Sequence, residues 1–377
     1  VILAGSRTAY SVIMPVGRKG NSLSDDELQK LSVLLKMPVA DLKKKIEDNK
    51  RAFGAIYLAN DVGVDVATQI EEKKDDFPGI QIEVNPLRVY PLGAAGAQVL
   101  GYVGEAGPDD KDADGNPYTT ATLIGRAGIE RKYNQYLEGK NVSKTIEVNA
   151  SGQPVGYVGG TPAVSGNNIR LTLDANLQKA AEDAIDSQVK ILAKSGIYAT
   201  GASAVAIDPN SGAVLAMVSE PSYDPNRFSK GISTADWNQI INNKNHPMQN
   251  RTIASMYPPG SLFKVVTGAA ALEAKVLPPT ERIFDSGKHW LVDKRNAQGE
   301  AFGWIDFYEA LEKSDNVYFY EMGRRLGIDK LSQMAREFGL GKPTGIDLAG
   351  EADGNVASEE YKKKVFDQDW YMGETMD

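Results

Sequence analysis

The alternation of hydrophobic and polar residues divides the chain into short helices and strands. Ser24 followed by three acidic residues is typical of a helix N-terminus, and leucines at helical spacing continue until Pro38 interrupts them. Apolar and polar residues alternate over 80–86 as in a half-buried strand that ends at Asn85-Pro86. Asp174 is predicted to cap a further helix, and residues 202–218 predict a hairpin. Strands beside helices, without regular strand-helix alternation, predict an α+β fold with an antiparallel sheet layered with helices.

Two domains are predicted, because 377 residues are too many for one ordinary core. Turn-forming residues cluster between Thr161 and Asn168. We therefore expect one domain over residues 1–165, with a helical part at about 20–85, and a second domain over residues 166–377. Residues 2–5 read as part of a strand.

Composition excludes several classes of function. The net charge of −8 and the pI near 5.1 disfavour a nucleic-acid partner, because phosphate binding needs concentrated lysine and arginine. No cysteine is present, which excludes disulfides, thiolate metal sites and cysteine nucleophiles. With only two histidines besides, we expect no metal and no cofactor. No apolar run approaches the ~18 residues needed to cross a bilayer.

Residues 257–264 combine a stiff turn with a candidate nucleophile. They read Tyr-Pro-Pro-Gly-Ser-Leu-Phe-Lys, and because proline is tolerated only in the first turn of a helix, a helix should begin at or just before Ser261. The apolar residues that follow, as far as Leu272, predict that this helix is largely buried. Residues three apart share a helix face, so Lys264 should reach the hydroxyl of Ser261. A lysine with a pKa depressed by burial can accept the serine proton.

One observation and one alternative interpretation limit the strength of this pattern. A second Ser-x-x-Lys occurs at Ser187 and Lys190, but it lies in the middle of a predicted helix, where no free N-terminus is available, so a structural role is expected there. The alternative for the first copy is that Ser261 is only an N-cap and Lys264 a surface residue.

A second polar motif, Ser314-Asp315-Asn316, interrupts an apolar course. Asp306 with Glu309 predicts a capped helix before it, and Val317-Tyr318-Phe319-Tyr320 resumes the apolar run. Such a break can project side chains into a cleft, where Ser314 would relay a proton and Asn316 would bind a substrate amide. The alternative is an ordinary helix-helix turn.

With these two motifs in this order, the chain resembles the class B penicillin-binding proteins, the monofunctional D,D-transpeptidases that cross-link peptidoglycan. The resemblance extends over essentially the whole chain and is greatest to the elongation-type branch, which maintains rod shape. It implies that residues 1–165 are the non-catalytic pedestal and residues 166–377 the transpeptidase domain. The other segments that carry it are residues 90–93, 100–104, 128–133, 147–150, 171–178, 221–226, 231–233 and 250–251.

The resemblance implies a role for each candidate residue. Ser261 attacks the D-Ala-D-Ala carbonyl of a stem peptide and forms an acyl-enzyme, with Lys264 as general base. Ser314 and Asn316 assist proton transfer and substrate placement, while Asp315 is the variable middle residue with no expected role. Penicillins and other β-lactams acylate the same serine. The resemblance further implies a membrane glycan polymerase as partner and a place on the extracytoplasmic face of the cell membrane, through an N-terminal anchor outside this chain.

Two departures from the family pattern stand out. The third motif, Lys-Thr/Ser-Gly on a strand across the cleft, does not follow Asn316, and residues 370–375 resemble the segment that precedes it. Residues 194–196 match its letters but precede Ser261. We therefore expect the chain to stop short of this motif and, if it is the whole polypeptide, to react poorly with penicillin. Gln98 stands where relatives commonly have histidine, without an expected catalytic consequence.

The alternatives to transpeptidation are a Ser-His-Asp hydrolase, a β-lactamase or β-lactam sensor, and an inactive scaffold. A Ser-His-Asp hydrolase is disfavoured, because His246 and His289 are the only histidines and neither has a nucleophile elbow beside it. A β-lactamase or β-lactam sensor also uses Ser-x-x-Lys but needs no long pedestal. An inactive scaffold with the same fold stays open.

Overall fold

A computed structural model describes residues 1–15, 23–48, 55–112, 114–118, 122–139, 143–148, 154–161 and 164–376. The chain forms two compact units, Val1–Thr252 with Asp347–Ala349 and Ile253–Ile346 with Gly350–Asp377. The sequence-based boundary between residues 165 and 166 stays a prediction. Residues 149 and 150, within one segment of the family resemblance, lie outside the described residues.

The first unit combines helices with antiparallel strand pairs. Its strands are β1 (Gly5–Pro15), β2 (Ala55–Val62), β3 (Gln81–Val89), β4 (Val103–Glu105), β5 (Leu123–Gly125), β6 (Ser143–Val148), β7 (Pro154–Thr161), β8 (Ala202–Ile207) and β9 (Val214–Glu220). Its helices are α1 (Asp25–Leu35), α2 (Val39–Asp48), α3 (Val64–Glu72), α4 (Ala97–Leu100), α5 (Gly128–Lys132), α6 (Asn134–Leu137), α7 (Ala175–Lys194), α8 (Asn226–Ser229) and α9 (Thr234–Ile241). Helix α10 (Arg251–Ala254) spans the division between the units.

The N-terminal part of this unit packs helices on a three-stranded sheet of order β2-β1-β3. Ser24 caps α1 as predicted, in a capping box with Glu27. Strand β1 begins at Gly5, so the strand predicted over residues 2–5 is wrong except at its last residue. Strand β3 continues through Pro86, where the sequence predicted its end. Because β3 is an edge strand, the N–H that proline lacks is not needed by a neighbour.

The predicted hairpin and the helix before it are both present. Strands β8 and β9 pair antiparallel, and α7 begins after Asp174, whose carboxylate accepts hydrogen bonds from the N–H groups of Asn176 and Leu177 at 2.8 and 3.0 Å. Short local signals were therefore sufficient to predict these elements.

The second unit is mainly helical and contains both candidate motifs. Its elements are α11 (Lys264–Glu273), β10 (Ile283–Asp285), β11 (Gly303–Ile305), α12 (Phe307–Glu312), α13 (Asn316–Leu326), α14 (Ile328–Glu337) and α15 (Glu359–Phe366). Helices α11, α13 and α14 share a core, and β10 pairs antiparallel with β11. The largest fully buried side chains of this core are Tyr318, Leu277, Ile305 and Met322.

Every strand pair among the described residues is antiparallel, and helices lie beside these pairs in each unit. The predicted α+β class is confirmed. Over the described ranges, no helix has the length and apolarity required to span a bilayer.

Candidate active site

Ser261 lies on a tight turn just ahead of α11. Residues Gly260–Phe263 form a 3-10 helix, and Gly260 adopts a φ of 58°, a left-handed conformation that suits glycine. The α-helix therefore begins at Lys264, three residues later than predicted. Ser261 is exposed, and its hydroxyl makes no hydrogen bond with any residue within the described ranges. The candidate nucleophile is thus accessible and unengaged, and the predicted contact of Lys264 with its hydroxyl is wrong for this structure, in which the Lys264 amine binds Ser314 and Asn316 instead.

The predicted burial of α11 holds for one face only. Val266, Ala270 and Ala271 are buried in the core of the second unit. Val265 is 55% exposed and Leu272 37% exposed, so the expectation of a largely buried helix is wrong for the outer face. The apolar run was long enough to predict a helix but could not tell which side neighbouring elements would cover.

Lys264 is held by the second polar motif. Its Nζ donates to the Ser314 carbonyl at 2.6 Å, to Ser314 Oγ at 3.1 Å and to Asn316 Oδ1 at 2.6 Å. Burial lowers the pKa of the Lys264 amine, and the negative charge of Asp315 opposes this shift by a smaller amount. Lys264 is therefore not a free surface residue, and Ser261 is not the N-cap, a position that belongs to Pro259.

Ser314 turns the chain between two helices. Helix α12 ends at Glu312, α13 begins at Asn316, and Ser314 between them has a φ of 55°, a left-handed conformation that costs a non-glycine residue energy. The motif is thus a helix-helix turn, which is the alternative that its sequence leaves open. It also supplies all three hydrogen-bond acceptors of the Lys264 amine, whereas an ordinary turn between helices needs no such contact.

Asp315, the middle residue with no expected role, is fully buried behind this turn. Its Oδ1 accepts a hydrogen bond from the Tyr318 N–H at 2.6 Å and so caps α13, while its Oδ2 receives the Asn296 amide at 3.3 Å. Burial is the main cause that raises the pKa of Asp315 to about 6, and the nearby Asp285 carboxylate adds to it. An aspartate just before an apolar helical run is a cap signal that could have found Asp315. Asn296 lies in the loop between β10 and β11 and gives no such signal.

Two other segments match the letters of a family motif, Ser187 to Lys190 and residues 194–196, and both differ from the site in structure. Ser187 lies exposed in the middle of α7, and Lys190 is paired with Asp186 one turn away. Lys194 is the last residue of α7 and Ser195 is its C-cap, so residues 194–196 form a helix terminus rather than a strand. Neither segment brings a serine, a lysine and further polar acceptors together.

Family models match both halves of the chain. The penicillin-binding protein dimerisation domain matches residues 1–171, and the penicillin-binding protein transpeptidase domain matches residues 202–369. The chain belongs to the penicillin-binding proteins. The first of these models covers the predicted pedestal, and the second includes Ser261, Lys264, Ser314 and Asn316.

Two curated relatives of this penicillin-binding protein share the name peptidoglycan D,D-transpeptidase MrdA. The peptidoglycan D,D-transpeptidase MrdA of Escherichia coli K12 is 34% identical over 99% of this chain and 59% of its own length. The MrdA of Haemophilus influenzae is 30% identical over 100% of this chain and 57% of its own length. The chain thus spans about three fifths of the length of these two relatives.

Solved structures show the same architecture. PBP2 from Helicobacter pylori, in complex with MreC, superposes with a TM-score of 0.82 at 29% identity, over 100% of this chain and 69% of that one. PBP2 from Pseudomonas aeruginosa, in complex with WCK 5153, has a TM-score of 0.63 at 36% identity, over 77% of this chain and 59% of that one. This chain therefore has the pedestal and transpeptidase fold of its family.

Proposed function

We propose that the protein is a serine D,D-transpeptidase that cross-links peptidoglycan stem peptides. The observation that carries this proposal is the placement of Lys264, which lies three residues after an accessible Ser261 and is bound by both Ser314 and Asn316. That arrangement supplies a nucleophile, a base with a lowered pKa and a hydroxyl beside that base. The curated relatives are named for the same reaction.

The first half-reaction would acylate Ser261. Its Oγ attacks the carbonyl carbon of the penultimate D-alanine of a stem peptide, and its proton passes to the neutral amine of Lys264. The bond from that carbonyl carbon to the nitrogen of the terminal D-alanine breaks. The proton then passes through the Ser314 hydroxyl to this nitrogen, which leaves as free D-alanine.

The second half-reaction would transfer the acyl group. The amine of a neighbouring stem peptide attacks the ester carbonyl, the bond to Ser261 Oγ breaks, and the proton that the amine loses returns to Oγ through the same groups. A β-lactam would open its ring amide on Ser261 in the same way. Because the leaving nitrogen stays attached to the acyl group, the ester persists, and this explains inhibition.

Asn316 would orient Lys264 as well as the substrate. Its Oδ1 accepts from Lys264 and its Nδ2 donates to the Arg295 carbonyl at 3.2 Å, so the direction of its amide is fixed by both contacts. A carbonyl oxygen has two lone pairs, and the second lone pair of Oδ1 is left for a substrate N–H.

Labelled penicillin applied to the full-length gene product tests this function. We expect the unaltered protein to take one label per molecule and the variant Ser261→Ala to take none. Ser187→Ala is the matched control, since it removes the serine of the second Ser-x-x-Lys, and it should label fully. Labelling of Ser261→Ala at the unaltered rate contradicts the proposal. No label in the unaltered protein indicates an inactive scaffold, and rapid loss of the label indicates a β-lactamase.

We further propose that the protein works with a membrane glycan polymerase on the extracytoplasmic face of the cell membrane, held by an N-terminal anchor. The support comes from structural neighbours. The Helicobacter pylori relative was solved with MreC, and a peptidoglycan synthase complex that couples polymerization to crosslinking matches 99% of this chain with a TM-score of 0.72 at 28% identity.

A further inference from the structure

Three polar side chains are buried directly behind the Ser314-Asn316 turn. Asp285 ends β10, Asn296 follows it in the loop before β11, and Asp315 precedes α13. Their exposed fractions are 1%, 6% and 0%, so these side chains cannot act on a substrate directly. We call Asp285, Asn296 and Asp315 the buried triad.

Asn296 binds the first turn of α13. Its Oδ1 accepts hydrogen bonds from the backbone N–H groups of Asn316 at 2.8 Å and Val317 at 3.2 Å. The first N–H groups of a helix have no partner within the helix and need an acceptor from elsewhere. With Asp315 bound to the N–H of Tyr318, acceptors from the triad reach three consecutive N–H groups. The position of Asn316 is therefore set by Asn296.

The opposite end of the Asn296 amide is bound equally firmly. Its Nδ2 donates to Asp285 Oδ2 at 2.8 Å, to the Glu300 carbonyl at 3.0 Å and to Asp315 Oδ2 at 3.3 Å. Asp285 is itself fixed by the N–H groups of Gly287 and Phe302, both at 2.7 Å. Only an amide can donate to two carboxylates at one end and accept from two N–H groups at the other.

We propose that Asn296 is a positioning residue for acyl transfer, which holds the first turn of α13 so that Ser314 and Asn316 keep Lys264 aligned with Ser261. This inference rests on the proposed transpeptidase function. Asn296 acts through the backbone of Asn316, and its effect reaches the reacting groups through the contact between Asn316 Oδ1 and Lys264. Small displacements of a catalytic group are known to cost large factors in rate.

The test compares acylation rates of the full-length gene product and two variants with labelled penicillin. Asn296→Ala removes both ends of the amide, and we expect the second-order rate constant to fall about 10- to 100-fold. Ser332→Ala is the matched control, because it removes a buried hydroxyl on α14 that donates to the Asp329 carbonyl at 3.1 Å. It should lose stability without slowing acylation of the folded protein.

Asn296→Asp gives a result that a merely structural role would not produce. The aspartate keeps an acceptor for the two N–H groups, but its second oxygen can face the other two carboxyl groups only while it carries a proton. The charged groups that contact it would be Asp285 on β10 and Asp315 before α13, and the charge of Asp315 in turn acts on Lys264 on α11. We expect the ratio of its acylation rate to that of the unaltered protein to approach one at acidic pH and to fall as the pH rises. For Asn296→Ala this ratio should not depend on pH in this way.

The outcomes distinguish a failure of this inference from a failure of the proposed function on which it rests. If the unaltered protein takes no label, the proposed function itself fails. If it labels and Asn296→Ala labels at the same rate, the positioning role is overturned. The role is likewise overturned if Asn296→Asp follows the pH profile of the unaltered protein, or if both variants fail to fold at every pH, which would make Asn296 a structural residue only.

Discussion

Lys264 combines two properties that oppose each other. Three acceptors around its Nζ favour the charged ammonium, whereas a general base must be neutral to take a proton. Burial lowers the pKa of this amine below the ordinary lysine value of 10.5, and the Asp315 charge partly offsets that effect. A neutral Lys264 still has two N–H groups for two of the acceptors, which leaves its lone pair for Ser261.

The pH dependence of acylation should therefore report the Lys264 amine. The rate constant is expected to rise with pH and level off with a midpoint below 10.5, since only the neutral amine can accept the proton. In Asp315→Asn, the charge that raises the pKa of Lys264 is gone, so the rising limb should move to lower pH. A limb that moves to higher pH would contradict this assignment. Labelling rates measured from pH 6 to 10 give the midpoint.

Asp315 should also make stability depend on pH. Its pKa in the folded protein is about 6, above the ordinary aspartate value of 3.8, because it is buried beside Asp285. Between these two pKa values, the folded state keeps a proton on Asp315 that the unfolded state has lost. The stabilisation of the folded state by this proton decreases as the pH rises through this range. Asp315→Asn removes the dependence and keeps a good N-cap, so its advantage in free energy of unfolding should grow from pH 4 to pH 7.

Urea unfolding at several pH values measures this difference. Asp306→Asn is the matched control, because the Asp306 carboxylate caps α12 by accepting from the N–H groups of Tyr308 and Glu309, while the Glu309 carboxylate binds the Asp306 N–H rather than the Asp306 side chain. An advantage for Asp315→Asn that stays constant across the window, or one equalled by Asp306→Asn, would show that the buried carboxyl pair does not hold the proton.

At the scale of elements, the α12-α13 junction stores backbone strain at a functional residue. Ser314 has a left-handed conformation, which costs an L-residue about 1–2 kcal/mol relative to glycine. Ser314→Gly and Ser314→Ala both remove the hydroxyl beside Lys264, and both should slow acylation. Ser314→Gly should nevertheless be more stable than Ser314→Ala by about 1 kcal/mol, because only alanine keeps the strain. Equal stability in thermal unfolding would show that the turn is relaxed.

Local sequence signals predicted the helices and strands, whereas contacts between residues far apart in the sequence determine the geometry of the candidate site. Ser24, Asp174 and Asp306 cap their helices through N–H groups two or three residues away, so short sequence windows were sufficient to predict them. The cap that Asn296 gives α13 spans 20 residues, with β11 and α12 in between, and no local pattern encodes it. The extent of β3 beyond Pro86 likewise depends on its edge position in the sheet, which only the fold defines.

At the scale of the whole molecule, both motifs of the proposed site lie in the second unit, while the transpeptidase family model begins in the first. Residues 317–377 contain no Lys-Thr-Gly or Lys-Ser-Gly. The resemblance assigns such a motif part of the oxyanion hole, where one donor contributes about 3–4 kcal/mol. We expect a polypeptide of residues 1–377 alone to react with penicillin at least about 100-fold more slowly than a full-length gene product that carries the motif. Equal rates for the two would show that the motif is not needed for acylation.

The most direct test of serine acyl transfer at Ser261 is to locate the adduct. The full-length gene product is labelled with penicillin, digested, and its peptides are examined by mass spectrometry. The proposed mechanism predicts one modified peptide, with the penicilloyl group on Ser261 and none on Ser187. An adduct on any other residue, or a fully folded protein that carries no adduct, would contradict it.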